Sequence, residues 1–203
     1  MYKRQTTIGG LIVDGGNFDW GKAGADRQPA MNTPDPCYGG VVWEEQVTKN
    51  MGLPFAYLLK LRTTLLRDLG GAMSPFNAWM FIQGLETLPL RMKEHAKNAQ
   101  IVAEALASNK KVASVTYPSL FEGAEKEKAD KYMTNGYGAL IGFELPGGKE
   151  AGSKFIDSLE LLYHVANIGD SRSLAIHPAT TTHSQLSPEE QLSAGVTPGY
   201  VRL

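Results

Sequence analysis

Hydrophobic positions recur at helical spacing in the middle of the chain. Between Pro54 and Leu69, leucines and a phenylalanine share one face and basic residues lie between them, which predicts an amphipathic helix ending at Gly70. Ser74 and the proline after it are typical of the start of another helix. Pro89 is expected to interrupt that second helix, because proline cannot donate the backbone hydrogen bond.

Beyond Asn109 the pattern changes to short apolar runs separated by charged or amphipathic segments. This alternation predicts a region of mixed strands and helices, with mostly antiparallel pairing. The predicted strands are 112–117, 138–145, 163–168 and 200–203. The predicted helices are 90–107, 122–131, 149–162 and one that begins with a capping box at Ser187 and ends at Gly195.

The amino-terminal region is less regular. Residues 8–13 are apolar and precede an Asp-Gly-Gly-Asn turn, so they are predicted to form a short buried strand. Residues 21–40 contain so many glycines and prolines that we expect a long loop instead of a regular element. A loop of this length within a globular protein is usually functional or disordered.

Composition limits the possible classes of protein. With 203 residues, of which 42% are hydrophobic, the chain can bury a core of one domain or slightly more. A formal net charge of −1 argues against nucleic acid or a membrane surface as the main partner. The single cysteine, Cys37, excludes an internal disulfide and favours a reducing compartment. Since neither a signal peptide nor a membrane span is evident, we expect a soluble cytoplasmic protein.

Candidate chemistry lies near the end of the chain, in a polar, irregular segment from Asn167 to His183 and in the final run of residues. Arg202 stands between Val201 and Leu203, so strand alternation directs it to the opposite face from both. An arginine together with an asparagine provides a planar, donor-rich site for a carboxylate, which suggests an amino-acid pocket. The alternatives are a solvated arginine and a loop that hydrogen-bonds to its own backbone.

The histidines have simpler interpretations. His177 and His183 lie close in sequence but have no recognisable third ligand, so a zinc site is not predicted. Packing and loop hydrogen bonds are the expected roles for both, and structural roles are expected for His95 and His164. Arg172 is expected to form an ion pair.

Several sequence blocks, in a fixed order, resemble the PLP-dependent enzymes of Cys/Met metabolism, which include cystathionine synthases and lyases, methionine γ-lyases and O-acetylhomoserine sulfhydrylases. The blocks are 70–78, 84–92, 167–170, 173–179, 181–183, 187–191 and 201–203, with His95 and Asn98-Ala99 between them. Within the family the resemblance is strongest to the sulfhydrylase branch. That likeness rests on residues 6–20, on the long excursion 21–45 and on Asn167, where many lyases have serine.

The resemblance implies an α/β fold, namely the carboxyl-terminal part of a PLP-dependent transferase of fold type I, which is aspartate-aminotransferase-like. Residues 1–88 would be the tail of the large PLP-binding domain, and residues 89–203 an α+β carboxyl-terminal domain on the substrate side. The predicted loop 21–40 would cover an active-site mouth or a subunit contact. Family members are homo-oligomers, usually tetramers.

The resemblance also implies site residues and a reaction. Arg202 would bind the α-carboxylate of the substrate, Asn167 would support that carboxylate, and Thr182 would line the same pocket. The intact enzyme would use PLP to replace the γ-substituent of O-acetylhomoserine by sulfide or a thiol, giving homocysteine or methionine.

The lysine that holds PLP in this family is expected a few residues before the block that begins at Thr6. Residues 1–5 do not match that context, and Lys3 is too close to Thr6 and lacks the flanking glycines. We therefore expect a carboxyl-terminal fragment with no catalytic residue of its own, no covalently bound PLP and no activity alone. The alternatives are a fragment of a cystathionine or methionine γ-lyase or a γ-synthase, and a non-catalytic interaction module with this fold.

Overall fold

A computed structural model of the chain describes residues 7–203, so Lys3 and Thr6 lie outside the described residues. The chain divides into two compact units, one formed by residues 8–78 and the other by residues 79–203 together with Thr7. The division near residue 88, inferred from the family fold, concerns the domains of a longer protein and stays a prediction.

Residues 8–78 contain mainly short helical segments. These are α1 (Trp20–Arg27), α2 (Pro29–Asn32), a 3-10 turn (Pro36–Tyr38), a π-helical segment (Glu44–Asn50), α3 (Ala56–Lys60) and a second π-helical segment (Leu61–Arg67). The helix predicted over 54–69 is thus confirmed, although its second half has wider, π-helical turns.

The segment 21–40 is not the irregular loop that its glycines and prolines predict. Asp19 caps α1 by accepting a hydrogen bond from the Lys22 amide at 2.8 Å. Gly24, at φ +74°, then allows the chain to kink, and Pro29 stands in the first turn of α2, where a missing N–H costs nothing. The prediction was wrong because Pro29 and Pro36 stand in first turns, where helices tolerate proline, and because Gly24 forms a kink within α1 without abolishing it.

One hydrophobic cluster holds this first unit together. It is formed by Met31, Trp43, Val47 and Ala56, and the rings of partly buried aromatic residues pack around it. Asp35 joins the cluster to α3: its carboxylate accepts from the Trp43 indole at 2.9 Å and from Lys60 at 2.6 Å. The hydrogen bond from Lys60 is the main cause that lowers the pKa of Asp35.

Residues 8–13 do not form the predicted buried strand. Ile8, Leu11 and Val13 are 77%, 85% and 83% exposed, and the segment pairs with no strand among residues 7–203. A strand requires a neighbour that receives its backbone hydrogen bonds, and the described chain provides none at this segment. The local pattern alone was therefore insufficient.

Two helices follow, α4 (Pro75–Glu86) and α5 (Leu88–Ala107). Both predicted boundary signals are confirmed. The Ser74 hydroxyl accepts a hydrogen bond from the Asn77 amide at 3.1 Å, and Pro89 stands in the first turn of α5. No helix of residues 7–203 is both long enough and apolar enough to cross a membrane.

The remaining elements are β1 (Ser114–Thr116), α6 (Gly123–Tyr132), β2 (Gly142–Glu144), α7 (Gly148–Asp157), β3 (Tyr163–His164), β4 (Leu174–Ala175), α8 (Pro188–Ser193) and β5 (Tyr200–Arg202). All predicted strands and helices of this region are present, but most are shorter than predicted. The capping box of α8 is confirmed: the Ser187 amide donates to Glu190 at 2.8 Å, and the Glu190 amide donates to the Ser187 hydroxyl at 3.3 Å.

The central sheet is antiparallel, in the order β1-β2-β5. Val115, Phe143 and Val201 lie opposite one another in a single row, and Phe143 and Val201 are fully buried in a cluster that also contains the α7 residue Ile156. Neighbouring rows point to the other face of the sheet, which is polar. The outward direction of Arg202, on the face opposite Val201, is thereby confirmed.

A smaller pair of strands, β3 and β4, runs parallel, so the pairing is mostly but not wholly antiparallel, as predicted. Strand β3 ends at His164 and does not reach Ile168. The Val165 amide donates back to the Tyr163 carbonyl at 3.0 Å, and the polar residues farther on bond to one another. The Asp170 carboxylate accepts from the side chains of Asn167 and Arg172. Such local side-chain bonding competes with continued strand pairing.

Candidate functional site

Arg202 lies in β5, between β2 and Ile176, the residue that follows β4. On one side it pairs with Gly142 of β2, and on the other it exchanges two backbone hydrogen bonds with Ile176, each 2.9 Å long. Its backbone is therefore held from both sides. Its guanidinium forms no hydrogen bond or ion pair with any of residues 7–203, and the side chain is only partly buried. A fixed backbone with an unpaired, two-pronged cation suits an external carboxylate.

Asn167 lies in the turn that follows β3. Its amide donates to Asp170 at 3.2 Å, and Asp170 in turn accepts two side-chain hydrogen bonds from Arg172, at 3.0 and 3.1 Å. The Arg172 guanidinium beside it holds the pKa of the Asp170 carboxyl well below its usual range. The ion pair expected of Arg172 is thus confirmed. The side-chain oxygen of Asn167 has no hydrogen-bond partner among the described residues.

A cavity of about 310 Å³ opens beside this turn. Its walls are mostly apolar and come from α5, from residues 139–141 and from residues 161–174, with Leu203 at one side. The polar side chains that line it include Asn167, Asn98 and His95, whose Nε2 atom is buried without a hydrogen-bond partner. Neither Arg202 nor Thr182 lines this cavity.

Asn167 and Arg202 are connected through intervening segments. Ile176, directly after β4, pairs with Arg202, and β4 pairs with β3, which precedes the turn that contains Asn167. The cavity that Asn167 lines also reaches Leu203, the residue after Arg202.

Thr182 lies apart from both residues. Its side chain is exposed, and its hydroxyl bonds to Nδ1 of His183 at 2.9 Å. Because its neighbours are those of its own turn, the structure does not bring it together with Asn167 or Arg202. Its place in a substrate pocket stays a prediction.

His177 is a packing residue. The ring is 1% exposed and lies between the Thr180 hydroxyl, at 2.9 Å, and the Pro198 carbonyl, at 2.8 Å. Helix α7 approaches so closely that a Cβ atom at Gly152 would lie 2.4 Å from the ring. Within residues 7–203, no three His, Cys, Asp or Glu side chains are grouped so that they could hold a metal ion.

Two residues that sequence reasoning missed lie beside Arg202. Tyr200 shares its strand and its face, and Gly142 lies directly opposite it. The available sequence signal was the two-residue period of a strand, which places residues 200 and 202 on the same side.

Comparison with known proteins was informative over nearly the whole chain. Residues 3–203 match the family of Cys/Met metabolism PLP-dependent enzymes. The chain is 52% identical to an O-acetyl-L-homoserine sulfhydrylase of Leptospira meyeri, with 98% of this chain and 45% of that protein covered. It is 45% identical to a homocysteine synthase of Schizosaccharomyces pombe, with the same shares covered. The chain therefore spans less than half the length of these relatives.

Two solved structures of similar enzymes also resemble this chain. A crystal structure from Campylobacter jejuni, reported as an O-acetylhomoserine (thiol)-lyase containing N'-pyridoxyl-lysine-5'-monophosphate, superposes with a TM-score of 0.74 at 41% identity, covering 87% of this chain and 41% of the other. A cystathionine γ-synthase from Xanthomonas oryzae gives a TM-score of 0.59 at 34% identity, covering 66% and 34%. Together with the matched blocks and the α/β architecture, these likenesses establish that the chain belongs to the PLP-dependent enzymes of Cys/Met metabolism, with the fold type I architecture.

Proposed function

We propose that this chain is the carboxyl-terminal part of an O-acetylhomoserine sulfhydrylase and contributes the site for the substrate carboxylate. The whole enzyme would convert O-acetylhomoserine and sulfide, or a thiol, to homocysteine or methionine. The names of the relatives support the reaction. The observation that carries the proposal for this chain is Arg202, a backbone-anchored cation without a partner among residues 7–203.

In this proposal, Arg202 and Asn167 bind the substrate carboxylate from two different segments. Arg202 would present two parallel N–H donors to the α-carboxylate, and Asn167 would support the same group from the turn after β3. The Asn167 amide donates to Asp170, an arrangement that supports a fixed orientation of the side chain. Thr182 would line the same substrate pocket only if its turn lay closer to Asn167 and Arg202 in the whole enzyme.

The cavity beside Asn167 offers no lysine that could hold PLP covalently. PLP, when bound, acts as an electron sink, and a lysine normally holds it. No lysine lines the cavity, and the amines of Lys60 and Lys126 bond to Asp35 and Asp130. We propose that the lysine and the rest of the cofactor site come from polypeptide outside this chain, and that the chain is inactive alone.

Three further proposals come from the family. The assembled enzyme would be a homo-oligomer, usually a tetramer, and the segment 21–40 would cover an active-site mouth or a subunit contact. The boundary between the large and the carboxyl-terminal domain would lie near residue 88. The cytoplasm is the proposed compartment, since the single cysteine is free and exposed.

The runner-up is a γ-lyase or γ-synthase of the same family. The likeness to a cystathionine γ-synthase structure keeps this alternative open, but its TM-score and coverage are lower than those of the thiol-lyase structure. A non-catalytic module of this fold is the third candidate. The match of residues 3–203 to an enzyme family and the 52% identity to a sulfhydrylase favour the enzyme over such a module.

A segment exchange tests the proposal. The part of the Leptospira meyeri sulfhydrylase that aligns with this chain is replaced by this chain, and homocysteine formation from O-acetylhomoserine and sulfide is measured. We expect turnover that Arg202→Gln reduces by about a hundredfold in kcat/KM, in line with the loss of a charge-assisted pair. Release of 2-oxobutyrate without homocysteine would favour a lyase. A folded, PLP-loaded chimera with no turnover would contradict the proposal.

A further inference from the structure

Tyr200 and Arg202 both lie on β5 and on the polar face of the central sheet. Val201 between them is fully buried, so both neighbours point outward, and both are partly buried. Across from them on β2, Glu144 pairs with Tyr200 and Gly142 pairs with Arg202. These four positions form a two-by-two patch on one face.

Gly142 has no side chain because the Tyr200 ring occupies that space. A Cβ atom at Gly142 would lie 2.2 Å from the Tyr200 hydroxyl oxygen and 2.6 Å from the ring carbons Cε2 and Cζ. The ring therefore leans diagonally across the patch, away from its own partner Glu144 and over the residue that lies opposite Arg202. Since directly opposed Cα atoms are about 5 Å apart, the phenol hydroxyl lies beside the base of the Arg202 side chain.

The hydroxyl and the guanidinium are both available for a ligand. Neither forms a hydrogen bond with any of residues 7–203. The Glu144 carboxylate does not compete for them: it accepts from the Thr197 hydroxyl and, at 3.0 Å, from the Gly199 amide. It thereby secures the turn that leads into Tyr200.

The hydroxyl is also in the correct protonation state. Burial raises the pKa of Tyr200, and the nearby charge of Arg202 opposes that shift only in part. Tyr200 consequently remains a neutral O–H donor at every physiological pH.

From this arrangement we infer that the Tyr200 hydroxyl is a second donor to the carboxylate that Arg202 binds, and that Gly142 is required to admit the ring. The ligand class is a small aliphatic carboxylate. Its identity as the α-carboxylate of an amino acid rests on the proposed function, whereas the two-donor site does not.

The test uses the 203-residue chain and pentanoate, whose carboxylate does not titrate above pH 6, with pentanamide as the uncharged control. Binding is followed by NMR from the Arg202 Nε–H and the Tyr200 ring resonances. We expect millimolar binding of pentanoate and none of pentanamide.

Tyr200→Phe should weaken pentanoate binding about tenfold, since a hydrogen bond to a charged group is lost. Gly142→Ala should do the same by displacing the ring, while Tyr132→Phe, on exposed α6, should change nothing.

Pentanoate binding measured as a function of pH distinguishes two roles of Tyr200: donating a hydrogen bond to the ligand, or only supporting strand β5. Binding to the unaltered chain should fall when Tyr200 ionises, above the usual tyrosine pKa of about 10, and Tyr200→Phe should abolish that fall. No pentanoate binding at 50 mM, or equal binding by Tyr200→Phe, would overturn the inference. If pentanoate binds as expected but the chimera makes no homocysteine, only the proposed function fails. If the chimera works but Tyr200→Phe binds normally, only this inference fails.

Discussion

The two compact units differ in how they satisfy their backbones and bury their side chains. Residues 79–203 contain a sheet whose strands bond to one another, with two buried clusters on one face of it. Residues 8–78 contain short helices, two π-helical segments and a single cluster, and the apolar segment 8–13 is exposed. The comparison shows that apolar content alone does not produce a core: a segment is buried only where a neighbouring element accepts its backbone bonds and covers its side chains.

The largest expected effect concerns the central row of the sheet. Phe143→Ala removes a fully buried ring that packs edge-on against Phe155, and we expect a loss of about 3–5 kcal/mol of unfolding free energy. Urea unfolding followed by circular dichroism measures it. The control is Leu11→Ala, at a side chain that is 85% exposed, which should change stability by less than about 0.5 kcal/mol. Similar losses from the two variants would contradict the contrast between the units.

The second prediction concerns acid and the first unit. The folded-state pKa of Asp35 is lowered, so its stabilising contribution is present above the unfolded value of about 3.9 and is lost as pH falls through the folded value. Asp35→Asn should destabilise the unit at pH 7, and the difference from the unaltered chain should shrink below about pH 4. The Trp43 indole N–H resonance, which depends on this carboxylate, gives the measurement.

A difference that stayed constant down to pH 2 would mean that Asp35 acts by packing and not by charge. Asp14→Asn provides a matched control, because Asp14 accepts only from the nearby Gly16 amide and is not salt-bridged among residues 7–203.

The smallest expected change in stability concerns the amino-terminal end of α8, in the second unit. Ser187→Ala removes one half of the capping box of α8 and should cost about 1 kcal/mol, because the Glu190 amide loses its acceptor. Amide hydrogen exchange of residues 188–193 measures it. Ser187→Thr, which keeps the hydroxyl, should be nearly neutral; an equal cost for both variants would exclude the capping explanation.

The elements that sequence reasoning predicted well are those with local causes. The helix start at Ser74, the capping box at Ser187 and the interruption at Pro89 depend on side chains and backbone groups within a few residues of one another. The direction of Arg202 likewise follows from strand alternation alone.

The elements that were missed depend on distant partners. Residues 8–13 have a strand pattern but no described strand beside them, and β4, which was not predicted, forms where the chain returns beside β3. The breakers in 21–40 were misjudged for a related reason. Asn32, which bonds with its amide to three carbonyls of the same region, stabilises short helices there, and no local rule anticipates those contacts.

The sequence by itself determined the family, through blocks whose order and spacing are specific, and it identified Arg202 and Asn167 as candidate ligands for a carboxylate. Only the tertiary structure decided that the Arg202 guanidinium is unpaired among residues 7–203, that Asn167 bonds to Asp170, and that the Tyr200 ring lies over Gly142. Composition and periodicity act along the chain, whereas hydrogen-bond partners and close approaches between strands arise when residues far apart in sequence are brought together.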